Sequence, residues 1–189
     1  MTAWAVARAT AIIVLAAATP AVAHDSIEGA GPFVNGILHP LFVPAHLLIA
    51  IGLGLWIARQ IRGAIRLSVV SFSGGLGIGL ALASVVSISP LLTLCLALLA
   101  GGLAASAWTA PALGAAGFTA MAAFSIGVES GADDTGALIG TWIGAQIIFL
   151  GVAALALRLD APWLHIGARV IGAWCAAIAL LILTLAAKS

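Results

Sequence analysis

The chain has 189 residues, 63% of them hydrophobic and 7% charged, with a formal net charge of +1. A soluble domain carries about 25% charged residues, so a water-soluble globular protein is excluded. A balance this close to neutral also leaves no electrostatic footprint for nucleic acid.

Residues 1–23 read as a secretory signal peptide. Arg8 supplies the positive start, Ala9 to Ala18 the apolar stretch, and Ala21-Val22-Ala23 a small-x-small cleavage site. The rival reading is an uncleaved first membrane helix, but the stretch is short and no cationic flank follows it. Cleavage makes His24 the new N-terminus, whose amine and imidazole together form a plausible metal chelate. The alternative is a plain polar terminus. Residues 24–38 form a short external segment that is acidic at Asp25 and Glu28.

The stretch Gly36 to Arg59 is long enough to cross the ~30 Å hydrocarbon core at ~1.5 Å per helical residue. A first mature membrane helix is expected over Pro40–Ala58, with Pro40 at its first position, where a missing N–H costs nothing. On one continuous helix His39 and His46 would point the same way, about 10 Å apart along the axis. A histidine inside a membrane helix is expensive and marks a candidate functional site. The alternative is an interfacial ring bonded to water or backbone.

Further helices are expected over Leu67–Ile88, Leu91–Ala107, Ala112–Val128, Gly136–Leu157 and Leu164–Ala187. Ser89-Pro90 and Trp108-Thr-Ala-Pro111 act as breaks, and Glu129-Ser-Gly-Ala-Asp-Asp-Thr135 is a polar acidic loop. The expected fold is all-α: a polytopic six-transmembrane-helix bundle over residues 39–189. Cys95 and Cys175 lie inside apolar runs, which argues against a disulfide framework. Gly75 and Gly79, and Gly136, Gly140 and Gly144, recur every fourth residue and predict close helix–helix seams. Such glycine-rich faces also offer surfaces for a homo-oligomer or another membrane subunit. Gly74-Gly-Leu-Gly-Ile-Gly79 is not a nucleotide loop, because no strand precedes it.

Six helices put both ends of the mature chain on one side. Arg59, Arg62, Arg66 and Arg158 fall on loops of one face, and Asp25, Glu28, Glu129, Asp133 and Asp134 on the other. The positive-inside rule makes the acidic face external, in agreement with signal cleavage before His24. Arg169 falls within the sixth span and can snorkel to the inner face. His24, His39, His46 and Glu129 thereby gather at the outer face. Imidazole with carboxylate is a ligand set suited to nickel, cobalt or zinc. No catalytic triad, phosphate loop or zinc-protease motif is present, so an enzyme is not expected.

Leu38-His39-Pro40, followed by His46-Leu-Leu-Ile-Ala-Ile-Gly-Leu-Gly-Leu-Trp56, resembles the first membrane helix of the HupE/UreJ family. These bacterial membrane proteins are associated with hydrogenase and urease systems and regarded as nickel or cobalt permeases. The resemblance implies an inner-membrane protein with periplasmic termini that transports Ni2+ or Co2+ and holds no tight cofactor. The family pattern reads His-Pro, four residues, Asp-His; here Ala45 replaces the aspartate. Its fourth helix carries Phe-His-Gly-x-Ala-His-Gly-x-Glu. The matching stretch here is Met121 to Glu129, with Ala122 and Ile126 in place of the two histidines. Positions 122, 126 and 129 share one helical face, so the outer ligands remain while the inner relay is thinned. Two functions follow: a divalent-metal permease using His24, His39, His46 and Glu129, or a non-transporting membrane subunit or assembly partner that keeps the fold.

Overall fold

The structure, a computed structural model, describes Ile27 and residues 29–188 apart from 107, 132, 133, 160 and 187. The expected signal peptide, His24, Asp25, Glu28 and Asp133 lie outside the described residues. Seven α-helices make up the described chain: α1 (Pro32–Phe42), α2 (Pro44–Ile57), α3 (Arg62–Leu82), α4 (Pro90–Ser106), α5 (Ala112–Glu129), α6 (Thr135–Ala156) and α7 (Pro162–Ala186). No strand occurs among the described residues.

Proline opens α1, α2, α4 and α7, and Pro111 is the N-cap of α5. Its fixed φ and missing N–H suit the first helical turn. The expected helix over Pro40–Ala58 is instead two helices meeting at 72°. A proline disfavours the helical conformation of the residue before it. Val43, just before Pro44, is accordingly extended, at φ −92° and ψ 107°. Pro40 does not start a helix; it lies inside α1, whose first turn begins at Pro32. Ahead of α1, Ile27 N–H donates to Asn35 Oδ1 at 2.9 Å, and Asn35 Nδ2 donates to the Ala30 carbonyl at 2.7 Å, tying Ile27 and Ala30 to the helix.

Four helices, α3, α5, α6 and α7, are each long and apolar enough to cross a membrane. The bent pair α1–α2 adds a fifth if it counts as one span, and α4 is a shorter apolar helix of 17 residues. Six spans are reached only when the bent pair and α4 are both counted. Of the three arginines expected in one loop, only Arg59 lies in the turn. Arg62 and Arg66 belong to the first turns of α3.

Helix α2 packs against all six other helices. It is buried on every side, through Ile49, Ala50, Leu53, Trp56 and Ile57. A helix apolar all round is expected at such a centre. The most extensive pairings around it are α3 with α5, α4 with α7, and α1 with α6.

The glycine seams are real. A Cβ on Gly140 would meet the Phe33 carbonyl oxygen, and one on Gly144 the Ile37 carbonyl oxygen, so α6 touches α1 backbone to backbone. Gly75 and Gly79 do the same against Ala120 and Phe124 of α5. These faces are filled within the chain. Cys95 and Cys175 are free thiols within α4 and α7.

Polar side chains add further ties. Gln146 Nε2 on α6 donates to Ser73 Oγ on α3, and Trp142 Nε1 donates to the Ser73 carbonyl at 3.2 Å. Near the far end of α2, Trp56 Nε1 donates to the Trp108 carbonyl at 2.9 Å, and the Ala110 N–H donates to Gln60 Oε1 at 2.9 Å. Inter-helix hydrogen bonds of this kind hold a bundle whose apolar surface faces an apolar solvent.

Candidate metal site

Three helix ends meet at one end of the bundle. The bend at Val43 places His39 in the last turn of α1 and His46 in the first turn of α2. Their rings stand 5.5 Å apart, centre to centre, tilted by 56°. The spacing expected for one straight helix, about 10 Å, is therefore shortened by the break. Glu129 is the last residue of α5 and reaches the same point.

His46 is 1% exposed, and its Nε2 lies 3.0 Å from Glu129 Oε2. Where Glu129 is ionised it only accepts, and the ring then donates from Nε2. Ser130 Oγ is 3.5 Å from the other ring nitrogen, Nδ1, and donates its own proton to the Ile126 carbonyl at 2.7 Å. Among the described residues, Glu129 Oε1 is buried without a hydrogen-bond partner. A buried carboxylate oxygen left unpaired is costly. Glu129 also sits where the C-terminal carbonyls of α5 already concentrate negative partial charge. Both facts favour a cation beside it.

A recess of about 160 Å³ opens at this pair, lined by Val43, His46, Pro90 and Glu129. A second cavity, about 340 Å³, meets the other side of Glu129 and is lined by Leu80, Ser84 and Gly131 among others. Glu129 thus lines both openings.

Of the expected ligands, His39, His46 and Glu129 come together, and His24 lies outside the described residues. Asp134, expected among the converging carboxylates, instead caps α6 by accepting from the Ala137 N–H at 3.1 Å. Among the described residues no three His, Cys, Asp or Glu side chains are gathered closely enough to hold a metal ion. The site is a bonded pair with a third ring beside it, and a bound ion would have to part that pair. Sequence reasoning passed over Ser130, Val43 and Pro90. The Val43-Pro44 step carried a readable signal, because proline biases the residue before it towards extended backbone.

The family described as HupE / UreJ protein matches this chain over residues 12–185. The chain belongs to the HupE/UreJ family. No curated protein and no solved structure matches it. HupE/UreJ proteins are permease-like accessory proteins rather than enzymes. Their motif positions are placed by the fold as follows. Ala45, where the HupE/UreJ pattern has aspartate, is buried beside His46 at the start of α2. Ala122 and Ile126, where it has histidines, are 0% exposed within the apolar core. Ser130 binds back to the carbonyl of that same Ile126.

Proposed function

We propose that this chain is a permease for a divalent transition metal, nickel or cobalt, serving urease or hydrogenase maturation. Capture takes place at the outer end, on His46 and Glu129, with His39 beside them. The observation that carries this reading is the His46–Glu129 pair, which joins a buried histidine to a half-buried carboxylate 83 positions away, with Glu129 lining two cavities. A neutral imidazole and a carboxylate suit these borderline ions, and the unpaired Glu129 oxygen supplies a further donor atom. The metal is cargo: entry takes the lone pair of His46 Nε2, whose proton passes to Nδ1 of the neutral ring, beside Ser130 Oγ at 3.5 Å. In this reading the protein lies in the bacterial inner membrane, with the bent α1–α2 pair as one of six spans. The signal peptide is removed, His24 becomes the N-terminus, and both termini are periplasmic.

A second reading is a membrane subunit or assembly partner that keeps the fold without transport. The observation favouring it is the sealed apolar core at Ala122 and Ile126, immediately inward of Glu129. Metal-dependent uptake by cells producing the chain separates the two. Uptake that depends on His46 and Glu129 supports the permease, and metal binding without uptake supports the second reading.

A further inference from the structure

At the end of the bundle opposite His46, a cavity of about 340 Å³ opens between the ends of α2 and α6 and the start of α7. Its walls are apolar at Leu55, Ala156 and Ala168, and cationic or potentially cationic at Arg59 and His165. No carboxylate among its described lining residues balances them. Arg59 Nη1 is buried and, among the described residues, has no hydrogen-bond partner. Arginine stays protonated under all ordinary conditions, so this is a charged donor removed from water without an acceptor, a costly arrangement. His165 is the fourth residue of the 25-residue α7, so the start of a helix lies at the same end. Helix starts favour anions.

We propose that this cavity binds a phosphate group, presented either by an anionic phospholipid headgroup or by free phosphate. Guanidinium pairs with phosphate oxygens through two parallel N–H donors, which gives the idle Nη1 its acceptor. His165, exposed at the rim, offers a second donor. Basic pockets between membrane helices are recognised sites for lipid headgroups, and apolar walls beneath a cationic rim suit a headgroup with its chains lying along the bundle. The proposal stands apart from the metal site, which lies at the other end.

The test is binding to purified full-length protein in a neutral detergent. The probes are phosphatidylglycerol, the zwitterionic phosphatidylcholine, and inorganic phosphate, read by thermal shift and by native mass spectrometry. We expect phosphatidylglycerol to bind and stabilise while phosphatidylcholine does not. Inorganic phosphate acting as well as the lipid would assign the site to free phosphate; phosphate without effect would assign it to the headgroup. Arg59→Gln should weaken binding about tenfold or more, the scale of one lost charge-assisted pair. His165→Asn, at an exposed position that threatens folding less, should weaken it by a smaller factor. Arg62→Gln, exposed near the same end but outside the cavity, is the matched charge control and should change nothing. No binding of either phosphate probe overturns the proposal. So does an equal loss in Arg62→Gln and Arg59→Gln, which would reduce the effect to diffuse surface charge.

Discussion

The rings of His39 and His46 stand 5.5 Å apart across a 72° bend, although they belong to different helices. Val43 makes this juxtaposition. Its extended backbone ends α1 four residues after His39, and Pro44 restarts the chain as α2 two residues before His46. His39 therefore stands beside His46, which lines one small recess. The cost is a polar cluster at the head of the most buried helix of the bundle.

If the break builds the site, the contact that holds α1 in place should matter to it. Gly140→Ala puts a methyl group against the Phe33 carbonyl of α1. We expect a loss of about 1–3 kcal/mol, as for overpacking elsewhere, together with weaker metal binding. Gly74→Ala, with open space around it, should leave both unchanged. Thermal melting in detergent and metal titration of the two variants check this.

Acid should weaken metal binding. An ion needs the lone pair of His46 Nε2; a neutral ring frees it by moving its proton to Nδ1, whereas a doubly protonated ring must first lose a proton. Affinity should fall steadily as pH is lowered. The direct check is calorimetric titration in neutral and in mildly acidic buffer. An affinity that is the same in both would mean that Nε2 is not a ligand.

Much of this was legible in the sequence, and the failures share a cause. Apolar runs and prolines located α4, α5, α6 and α7 to within two residues at each end, but placed α3 five or six residues late and gave the start of α1 to an external segment; spacing alone marked Gly140 and Gly144 as a seam. The bend was missed because the apolar run continues unbroken through Val43, and hydropathy does not register backbone conformation. Local patterning also could not show that Glu129 bonds His46, a contact made only when α2 and α5 pack. Asp134 looked like a free carboxylate, yet its position before Thr135 makes it the cap of α6. Arg62 and Arg66 looked like loop residues because charge suggested loop, whereas the first turn of a membrane helix at the interface accommodates them.

Restoring the family's aspartate should separate binding from stability. Ala45→Asp returns a charge beside His46, and a carboxylate that orients an imidazole ligand strengthens metal binding. We expect roughly tenfold tighter binding. Position 45 is 7% exposed, so the metal-free variant should melt at a lower temperature, because a buried charge without a partner is costly. Lower stability with no gain in affinity would place residue 45 outside the site.

The arrangement of the bundle predicts its sidedness. The Glu129 end should be external and the Arg59 end cytoplasmic. In a background without Cys95 and Cys175, Ser87→Cys should react with a membrane-impermeant thiol reagent in intact cells. Gly63→Cys should react only after permeabilisation. A tag at Ser189 should be reached from outside. The reverse pattern would put the histidine pair on the cytoplasmic face.

The central claim is that His46 and Glu129 form a metal-capture pair. Calorimetric titration of the purified chain with nickel, cobalt and zinc tests it most directly. We predict binding by the unaltered chain, its loss in His46→Ala, a reduction of about 10- to 100-fold in Glu129→Gln, and a smaller one in His39→Ala. Unchanged affinity in His46→Ala, or no binding of any of the three ions by the unaltered chain, would contradict it.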